Sequence, residues 1–243
     1  MTTIKRISRP LLAFSFAVAL FACNNNTETA KEEPKKAEDT ASVTPPAPAP
    51  AAFTPFDVAE IEHNVKDYAK WRPFFDADSV NRKAAGLENL VVGRGIDNTN
   101  RVLIVLNVAD VQKAKDFAAN PKLKEVMGKA GVISKPDIQF FHVIRFNPDS
   151  KEKQWVIITH KVKDFDAWVK VYDGEGKEKR ASEGMIDVAL ARGIDDPNVV
   201  HIVFDITDMA KAKAAIMSEE KKKLMMSAGV EGKPKIEFYS TAE

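Results

Sequence analysis

The chain contains 243 residues, of which 44% are hydrophobic and 29% are charged. These fractions indicate a folded protein that is long enough to bury one or two hydrophobic cores. The 36 basic and 35 acidic side chains give a net charge of +1. This balance argues against nucleic acid as a partner, because nucleic acid is bound by strongly basic surfaces.

The first 22 residues have the features of a secretion signal. Lys5, Arg6 and Arg9 form a positive segment, and residues 11–21 form an apolar run. A positive segment before a short apolar run is typical of a signal peptide, and the run is too short to span a membrane. Cleavage after residue 22 would remove three positive charges and change the net charge from +1 to about −2.

The end of this segment, Leu20-Phe21-Ala22-Cys23, resembles the lipobox of bacterial lipoproteins. The resemblance implies that Cys23 carries a lipid, that the partner is the lipid bilayer, and that the protein is anchored in the bacterial cell envelope on the periplasmic or surface side. Cys23 is the only cysteine of the chain, so no disulfide can form within one molecule. The alternative is an ordinary signal peptide followed by an unrelated cysteine.

Residues 23–52 are predicted to form a disordered tether. They contain a mixed-charge run at residues 31–36 and a proline-rich run at residues 45–50. Such composition buries little apolar surface and stays solvated, and its proline-rich part is extended. At about 3 Å per extended residue, the tether would hold a folded domain a few tens of ångströms from a membrane.

The rest of the chain is an internal duplication. The segment His63-Asn-Val-Lys-Asp-Tyr-Ala-Lys-Trp71 returns as His160-Lys-Val-Lys-Asp-Phe-Asp-Ala-Trp168. From Arg82 onward the copies align at a constant offset of 98 residues, whereas the offset is 97 before Asp76. We therefore predict two repeats, at residues 53–147 and 153–243, and a loop or a helix end where the offset changes.

Each repeat reads as strand, helix, strand, strand, helix, strand. Alternating apolar residues predict the first strands over residues 57–65 and 156–162, and aspartates at 67, 164, 110 and 208 are predicted helix N-caps. Turn residues join the middle strands as hairpins, and Lys-Pro precedes each predicted final strand, at residues 137–146 and 235–241. Glycines 86 and 184 suit the ends of helices.

This order predicts an α+β protein in which two ferredoxin-like βαββαβ repeats pack sheet to sheet as an intramolecular α/β barrel. The tandem copies and the His-x-Val-x-Asp-aromatic-x-x-Trp and Arg-x-x-x-Gly signatures resemble the dimeric α/β-barrel superfamily. That superfamily includes antibiotic-biosynthesis monooxygenases and small polyketide cyclases. The resemblance covers about residues 55–241 and implies a cavity between sheet and helices that binds small aromatic or polyketide molecules.

Two histidines are candidate catalytic residues. His63 and His160 lie on the face of the first strand of each repeat that is predicted to be covered by helices, near Trp71 or Trp168 and within reach of Arg82 or Arg180. A histidine at such a cavity can act as a general base. The alternative is a buried histidine that holds a helix cap or a backbone carbonyl in place.

Arginines and aromatic residues at equivalent positions of the repeats are candidate ligand contacts. Arg82 and Arg180 can bind a carboxylate or phenolate through two hydrogen bonds, or instead pair with Asp76 or Asp173. Arg94 and Arg192 can also cap a hairpin. The remaining predicted ligand contacts are Trp71, Trp168, Tyr68 and Phe165. Their helical spacing is equally typical of a helix that covers a sheet.

Several chemistries find no support in the sequence. The four histidines are not clustered at metal-ligand spacing, and no dinucleotide loop, phosphate loop or nucleophile elbow is present. We expect no metal and no cofactor. Three functions remain open: an envelope lipoprotein that binds a small apolar or aromatic molecule, a cofactor-independent monooxygenase or cyclase-like enzyme, and a non-catalytic structural or protein-interaction module.

Overall fold

The computed structural model describes residues 53–242. The predicted signal peptide at residues 1–22, the lipidation site Cys23 and the whole of the tether at residues 23–52 lie outside the described residues. Those predictions therefore stay predictions.

Each repeat contains four strands and four helices. In the first repeat they are β1 (Phe56–Asn64), α1 (Tyr68–Ala77), α2 (Ser79–Ala84), β2 (Leu87–Gly95), β3 (Arg101–Val108), α3 (Val111–Ala118), α4 (Pro121–Lys129) and β4 (Asp137–Phe146). In the second repeat they are β5 (Gln154–Val162), α5 (Phe165–Glu175), α6 (Lys177–Ser182), β6 (Met185–Gly193), β7 (Val199–Ile206), α7 (Met209–Ile216), α8 (Glu219–Ser227) and β8 (Val230–Thr241).

The eight strands form a closed barrel in the order β1-β3-β2-β8-β5-β7-β6-β4. All of its strand pairs are antiparallel. Within each repeat the order is that of a ferredoxin-like sheet, and the pairs β2–β8 and β4–β6 join the two repeats. The predicted fold class is confirmed. The two sheets also continue into each other by hydrogen bonding, which the expectation of sheet-to-sheet packing did not include.

The predicted caps and the predicted helix end are confirmed. Asp67 accepts a hydrogen bond from the amide of Lys70 at 3.2 Å, and Asp164 accepts one from the amide of Ala167 at 2.7 Å. The offset change between the repeats corresponds to the junction of α1 with α2 and of α5 with α6, where the helix breaks at Asp78 and Gly176. Because the chain turns there, α2 and α6 approach the sheet as separate helices.

One predicted boundary was wrong. The last strand begins at Val230 and not at residue 235, so Lys233-Pro234 lies inside β8 and does not precede it. Val230 pairs with Val162, and the register between β5 and β8 shifts between Thr159 and Lys161. A proline is tolerated within a strand at such an irregularity, because it has no amide hydrogen to donate to the ladder.

The apolar residues form two kinds of core. One hydrophobic cluster per repeat lies between the sheet and the helices, around Trp71 in the first repeat and Trp168 in the second. Smaller clusters lie inside the barrel, where Leu103, Trp155 and Tyr239 pack together. Helices and barrel closure thus cover opposite faces of the same strands.

Within residues 53–242, no helix has the length and apolar character needed to cross a membrane.

The seam between the repeats is closely packed at Gly93, where there is no room for a side chain. A Cβ atom on Gly93 would lie 2.7 Å from Cζ2 of Trp155, whose ring is buried. We therefore expect Gly93→Ala to lower the free energy of unfolding by about 1–3 kcal/mol, because the buried ring has to move. Urea denaturation of the variant and of the unmodified protein measures this difference.

Gly174→Ala is the matched control. Gly174 lies within α5, and a Cβ atom there meets nothing within 4 Å. Alanine is the better helix former, so this variant should be unchanged or more stable by up to about 1 kcal/mol. Equal stability of the Gly93→Ala variant and the unmodified protein would show that Trp155 does not hold the seam.

Candidate functional site

Two equivalent cavities open between the sheet and the helices, one in each repeat. The first has a volume of about 90 Å³ and the second about 60 Å³. The polar residues that line the first cavity are His63, Asp78 and Arg82, and its apolar lining includes Ile61, Trp71, Leu106, Phe117, Met127 and Phe140. The polar residues that line the second cavity are His160, Glu175, Arg180 and Lys221, together with the hydroxyl-bearing Tyr172.

The first strand of each repeat carries its histidine into the cavity. In β1, Ala59, Ile61 and His63 alternate along the face that lies under the helices, and all three line the first cavity. The imidazole of His63 lies edge-on to the ring of Trp71, with ring centroids 5.6 Å apart. In the second repeat, His160 and Trp168 have the same arrangement at 5.5 Å.

Both histidines are buried without hydrogen bonds. His63 is 3% exposed and His160 is 5% exposed, and neither ring nitrogen of either residue has a hydrogen-bond partner within residues 53–242. They therefore hold no helix cap and no backbone carbonyl in this part of the chain. Burial lowers the pKa of each imidazole to about 4. At neutral pH each cavity thus contains a neutral imidazole, which offers one hydrogen-bond donor and one acceptor.

The arginines predicted beside the histidines do line the cavities, but their predicted acidic partners were wrong. Arg82 lies near Asp78, with Nη1 and Oδ2 3.8 Å apart, and Arg180 forms two hydrogen bonds with Asp187. Asp76 instead pairs with Arg72, and Asp173 pairs with Arg145. The prediction failed because α1 and α5 end before the arginines, so helical spacing does not relate Arg82 to Asp76 or Arg180 to Asp173.

The structure places the other aromatic candidates away from the cavity linings. Tyr68 and Phe165 are buried and pack under guanidinium groups, with Arg94 4.3 Å from the ring of Tyr68 and Arg192 4.3 Å from the ring of Phe165. Arg94 also donates to the carbonyl of Thr99, which is the hairpin-capping role. Tyr68 and Phe165 are thus core residues here and do not touch either cavity, whereas Trp71 and Trp168 line them.

The mouths of the two cavities differ in charge. At the second cavity, the ammonium group of Lys221 on α8 contacts the carboxylates of both Glu175 and Glu183. The three side chains, which we name the Lys221 triad, are at most 15% exposed. The equivalent positions in the first repeat are Asp78, Leu123 and Ala85. No triad can form there, so no ion pair of this kind ties α4 to the neighbouring helices α1 and α2.

A second polar cluster lies inside the barrel and was missed by the sequence analysis. Nε2 of His201 lies 3.3 Å from Oε2 of Glu60, and Nδ1 lies 3.0 Å from the hydroxyl of Thr159. Burial raises the pKa of Glu60 to about 8 and lowers the pKa of His201 to about 3. Both groups are therefore neutral at pH 7. The sequence contains one sign of this pair: the position equivalent to His201 in the first repeat is the apolar Leu103, so the histidine is specific to the second repeat.

Metal-ligand chemistry finds no support among residues 53–242, where no group of three or more histidine, cysteine, aspartate or glutamate side chains could hold an ion. His142 pairs with Asp57 at 2.7 Å on neighbouring strands, which is a two-residue contact.

Comparisons with known proteins bear on the fold. No protein-family model matches the sequence, and no curated protein is similar to it. Among solved structures, a protein from Fusobacterium nucleatum subsp. nucleatum that is provisionally named a monooxygenase has a TM-score of 0.50 and 13% identity, covering 78% of this chain and 93% of its own. An anthrone oxidase-like protein has a TM-score of 0.50 and 13% identity, covering 77% of this chain and 92% of its own.

The chain has the dimeric α/β-barrel fold. Because the alignments cover more than three quarters of the chain, the similarity extends over both repeats. At such identities the likeness establishes the α/β-barrel fold alone, and function has to be argued from the cavities.

If the histidines form hydrogen bonds only with a ligand, they destabilise the protein when no ligand is bound. A buried polar group without a partner costs about 1–3 kcal/mol, so His63→Leu and His160→Leu should each leave the free energy of unfolding at pH 7 unchanged or raise it by about 1 kcal/mol. Urea denaturation measures this. A loss of more than about 2 kcal/mol would show that the imidazole is a structural support.

The same variants should change the pH dependence of stability. The pKa of each histidine is lowered from 6.5 to about 4 in the folded state, so the unfolded chain binds more protons between these values. As the pH falls from 6.5 toward 4, protonation therefore favours the unfolded chain, and each histidine lowers the free energy of unfolding by about 2–3 kcal/mol. Unfolding of the double variant at pH 7 and pH 4.5 should show a smaller loss than the unmodified protein. Equal losses would contradict this assignment.

Proposed function

We propose that the protein binds a small aromatic or apolar molecule in the first cavity, where His63 forms a hydrogen bond with it. The observation that carries the proposal is the imidazole of His63, which lines an apolar cavity and has no partner for either ring nitrogen within residues 53–242. A ligand with a hydroxyl or carbonyl group would supply the missing partner. Trp71, Phe75 and Phe140 would contact its ring.

Two observations favour the first cavity over the second. The first is larger, at about 90 Å³ against about 60 Å³, and engineered cavities of about 150 Å³ hold one benzene. A ring of that size therefore needs some widening of the first cavity. Helix α4, which contributes Leu123, Val126 and Met127 to the lining, has no counterpart of the Lys221 triad and can move more readily.

An enzyme of the cofactor-independent monooxygenase or cyclase kind is the second candidate. It is favoured by the names of two proteins of the same fold, a provisional monooxygenase and an anthrone oxidase-like protein. In this reading His63 would accept a proton from the substrate. A histidine whose pKa lies near 4 is a weak base at neutral pH, because catalytic bases work best with a pKa near the working pH. Binding without proton transfer is therefore the better-supported function.

We also propose that the barrel is anchored to the bacterial cell envelope through a lipid on Cys23. The support lies in the sequence, where a positive segment and an apolar run precede Leu20-Phe21-Ala22-Cys23 and a polar, proline-rich tether follows. In this arrangement the acyl chains bind the bilayer and the tether keeps the cavities accessible from the aqueous phase.

Ligand binding can be tested with 4-fluorophenol, whose ring suits the apolar lining and whose hydroxyl can form a hydrogen bond with His63. A ¹⁹F NMR titration should give saturable binding, and His63→Leu should weaken it at least about fivefold, since one net hydrogen bond contributes about 1 kcal/mol. His160→Leu, the equivalent change in the second cavity, is the matched control and should alter the dissociation constant by less than about twofold. Equal effects of both variants, or no saturable binding, would contradict the proposal.

Lipid anchoring can be tested by expressing the full chain in a bacterium with Cys23 intact or replaced. The unmodified protein should be found in the membrane fraction and take up labelled palmitate, because two or more acyl chains give stable attachment. Cys23→Ser should abolish the label and leave the protein unprocessed or released. Membrane retention with normal cleavage of the variant would contradict the anchor.

A further inference from the structure

Arg82 and Arg180 occupy equivalent positions and make the same contacts with the preceding helix. Arg82 is 7% exposed and Arg180 is 3% exposed. In each case Nη1 donates to the backbone carbonyl of an aromatic residue of the preceding helix, Phe75 at 2.6 Å or Tyr172 at 2.9 Å. The guanidinium lies over the ring of that same residue, at 3.7 Å for Phe75 and 3.9 Å for Tyr172. The duplication has thus fixed the same orientation of the arginine in both repeats.

The other edge of the guanidinium distinguishes the repeats. Nε and Nη2 of Arg180 donate to the two carboxylate oxygens of Asp187 at 2.8 Å and 2.6 Å, which is the two-pronged geometry that arginine forms with carboxylates. The equivalent residue of the first repeat is Asn89. The strand register is also equivalent, because Asn89 pairs with Leu106 as Asp187 pairs with Phe204. The carboxylate is therefore missing at this position of the first repeat.

Nε and Nη2 of Arg82 accordingly make no hydrogen bond with any residue between 53 and 242. The nearest carboxylate, that of Asp78, lies 3.8 Å from Nη1 and accepts a hydrogen bond from Asn81. Asp78 thus offsets part of the charge of Arg82 but leaves the two-pronged edge unoccupied. Because Nε and Nη2 are not among the fully buried atoms without a partner, this edge is accessible to water and to a ligand.

The pKa directions agree with this difference. Burial lowers the pKa of Arg82, and the charges of Asp78 and Asp76 do not restore it. Burial also acts to lower the pKa of Arg180, but hydrogen bonding to Asp187 together with the charges of Tyr172, Asp187 and Glu175 outweighs it, and the net shift is upward. Arg180 therefore has a carboxylate that accepts hydrogen bonds from its Nε and Nη2, whereas Arg82 has none.

We propose that the free edge of Arg82 binds the carboxylate of an aromatic acid whose ring occupies the first cavity. This inference rests on the proposed ligand-binding function and names the class of ligand. Arg82 and His63 line the same cavity, so one molecule can contact the guanidinium with its carboxylate while its ring lies against the apolar lining. The second cavity does not bind such an acid, because Asp187 already occupies the equivalent edge of Arg180.

The test compares 4-fluorobenzoate with 4-fluorobenzamide, which has the same shape and no charge. In ¹⁹F NMR titrations at pH 7, the unmodified protein should bind the benzoate at least about tenfold more tightly than the benzamide, since a charge-assisted pair of hydrogen bonds is lost in the amide. Asn89→Asp introduces the carboxylate that the second repeat has, and should reduce this preference to about one by occupying Arg82. Asn89→Ser, which adds no charge, is the matched control and should keep the preference.

The outcomes separate this inference from the proposed function. If 4-fluorophenol binds but benzoate and benzamide bind equally, or if Asn89→Asp retains the preference for benzoate, the acid site is refuted and the ligand-binding function stands. If none of the three molecules binds, both are refuted. Thermal unfolding of Asn89→Asp in parallel should show equal or higher stability, because the variant gives Arg82 a partner. A large loss of stability together with lost binding would count against the acid site, because the equivalent pair is tolerated in the second repeat.

Discussion

The hydrogen-bonded closure of the barrel between the two repeats is the constraint on which the rest of this structure depends. Each ferredoxin-like sheet has one face under its helices and one face that needs another cover. The pairs β2–β8 and β4–β6 join the two sheets into one closed barrel, which turns these faces inward against each other. The seam is tight enough that Gly93 faces the ring of Trp155, and Tyr239 beside it is fully buried. Neither repeat could bury this inner face alone.

Closure also decides where a ligand can enter. The barrel interior contains apolar residues and the neutral pair of Glu60 and His201, whose side chains lie 3.3 Å apart across the two repeats. Space remains on the outer face, where short helices cover the strands less completely. Successive side chains of β1 point to opposite faces of the sheet, so Glu60 points into the barrel and His63 points under the helices. One strand thus contributes to both the interior network and the first cavity.

The fold and part of the site could be predicted from the sequence because the duplication makes both visible. Equivalent aspartates mark the helix starts, and strand alternation places His63 and Trp71 together. Two features escaped prediction for physical reasons. The partners of Arg82 and Arg180 depend on where α1 and α5 end, which helical spacing does not reveal. The Glu60–His201 pair depends on which residues of different repeats face each other across the closed barrel.

The differences between the repeats carry the most information about function, because the shared fold acts as an internal reference. Both repeats keep a buried histidine that has no hydrogen-bond partner in the part of the chain that the structure describes, so this feature alone does not distinguish them. The second repeat provides its arginine with Asp187 and closes its cavity with the Lys221 triad, and its charges are therefore satisfied within the chain. The first repeat leaves both the histidine and one edge of Arg82 without acceptors within residues 53–242. A molecule that supplies these partners regains the free energy that the empty cavity lacks, which links ligand affinity directly to the stability of this half of the barrel. Arg180 and Lys221 of the second cavity already have carboxylate partners, so a ligand there would gain no comparable ion pair.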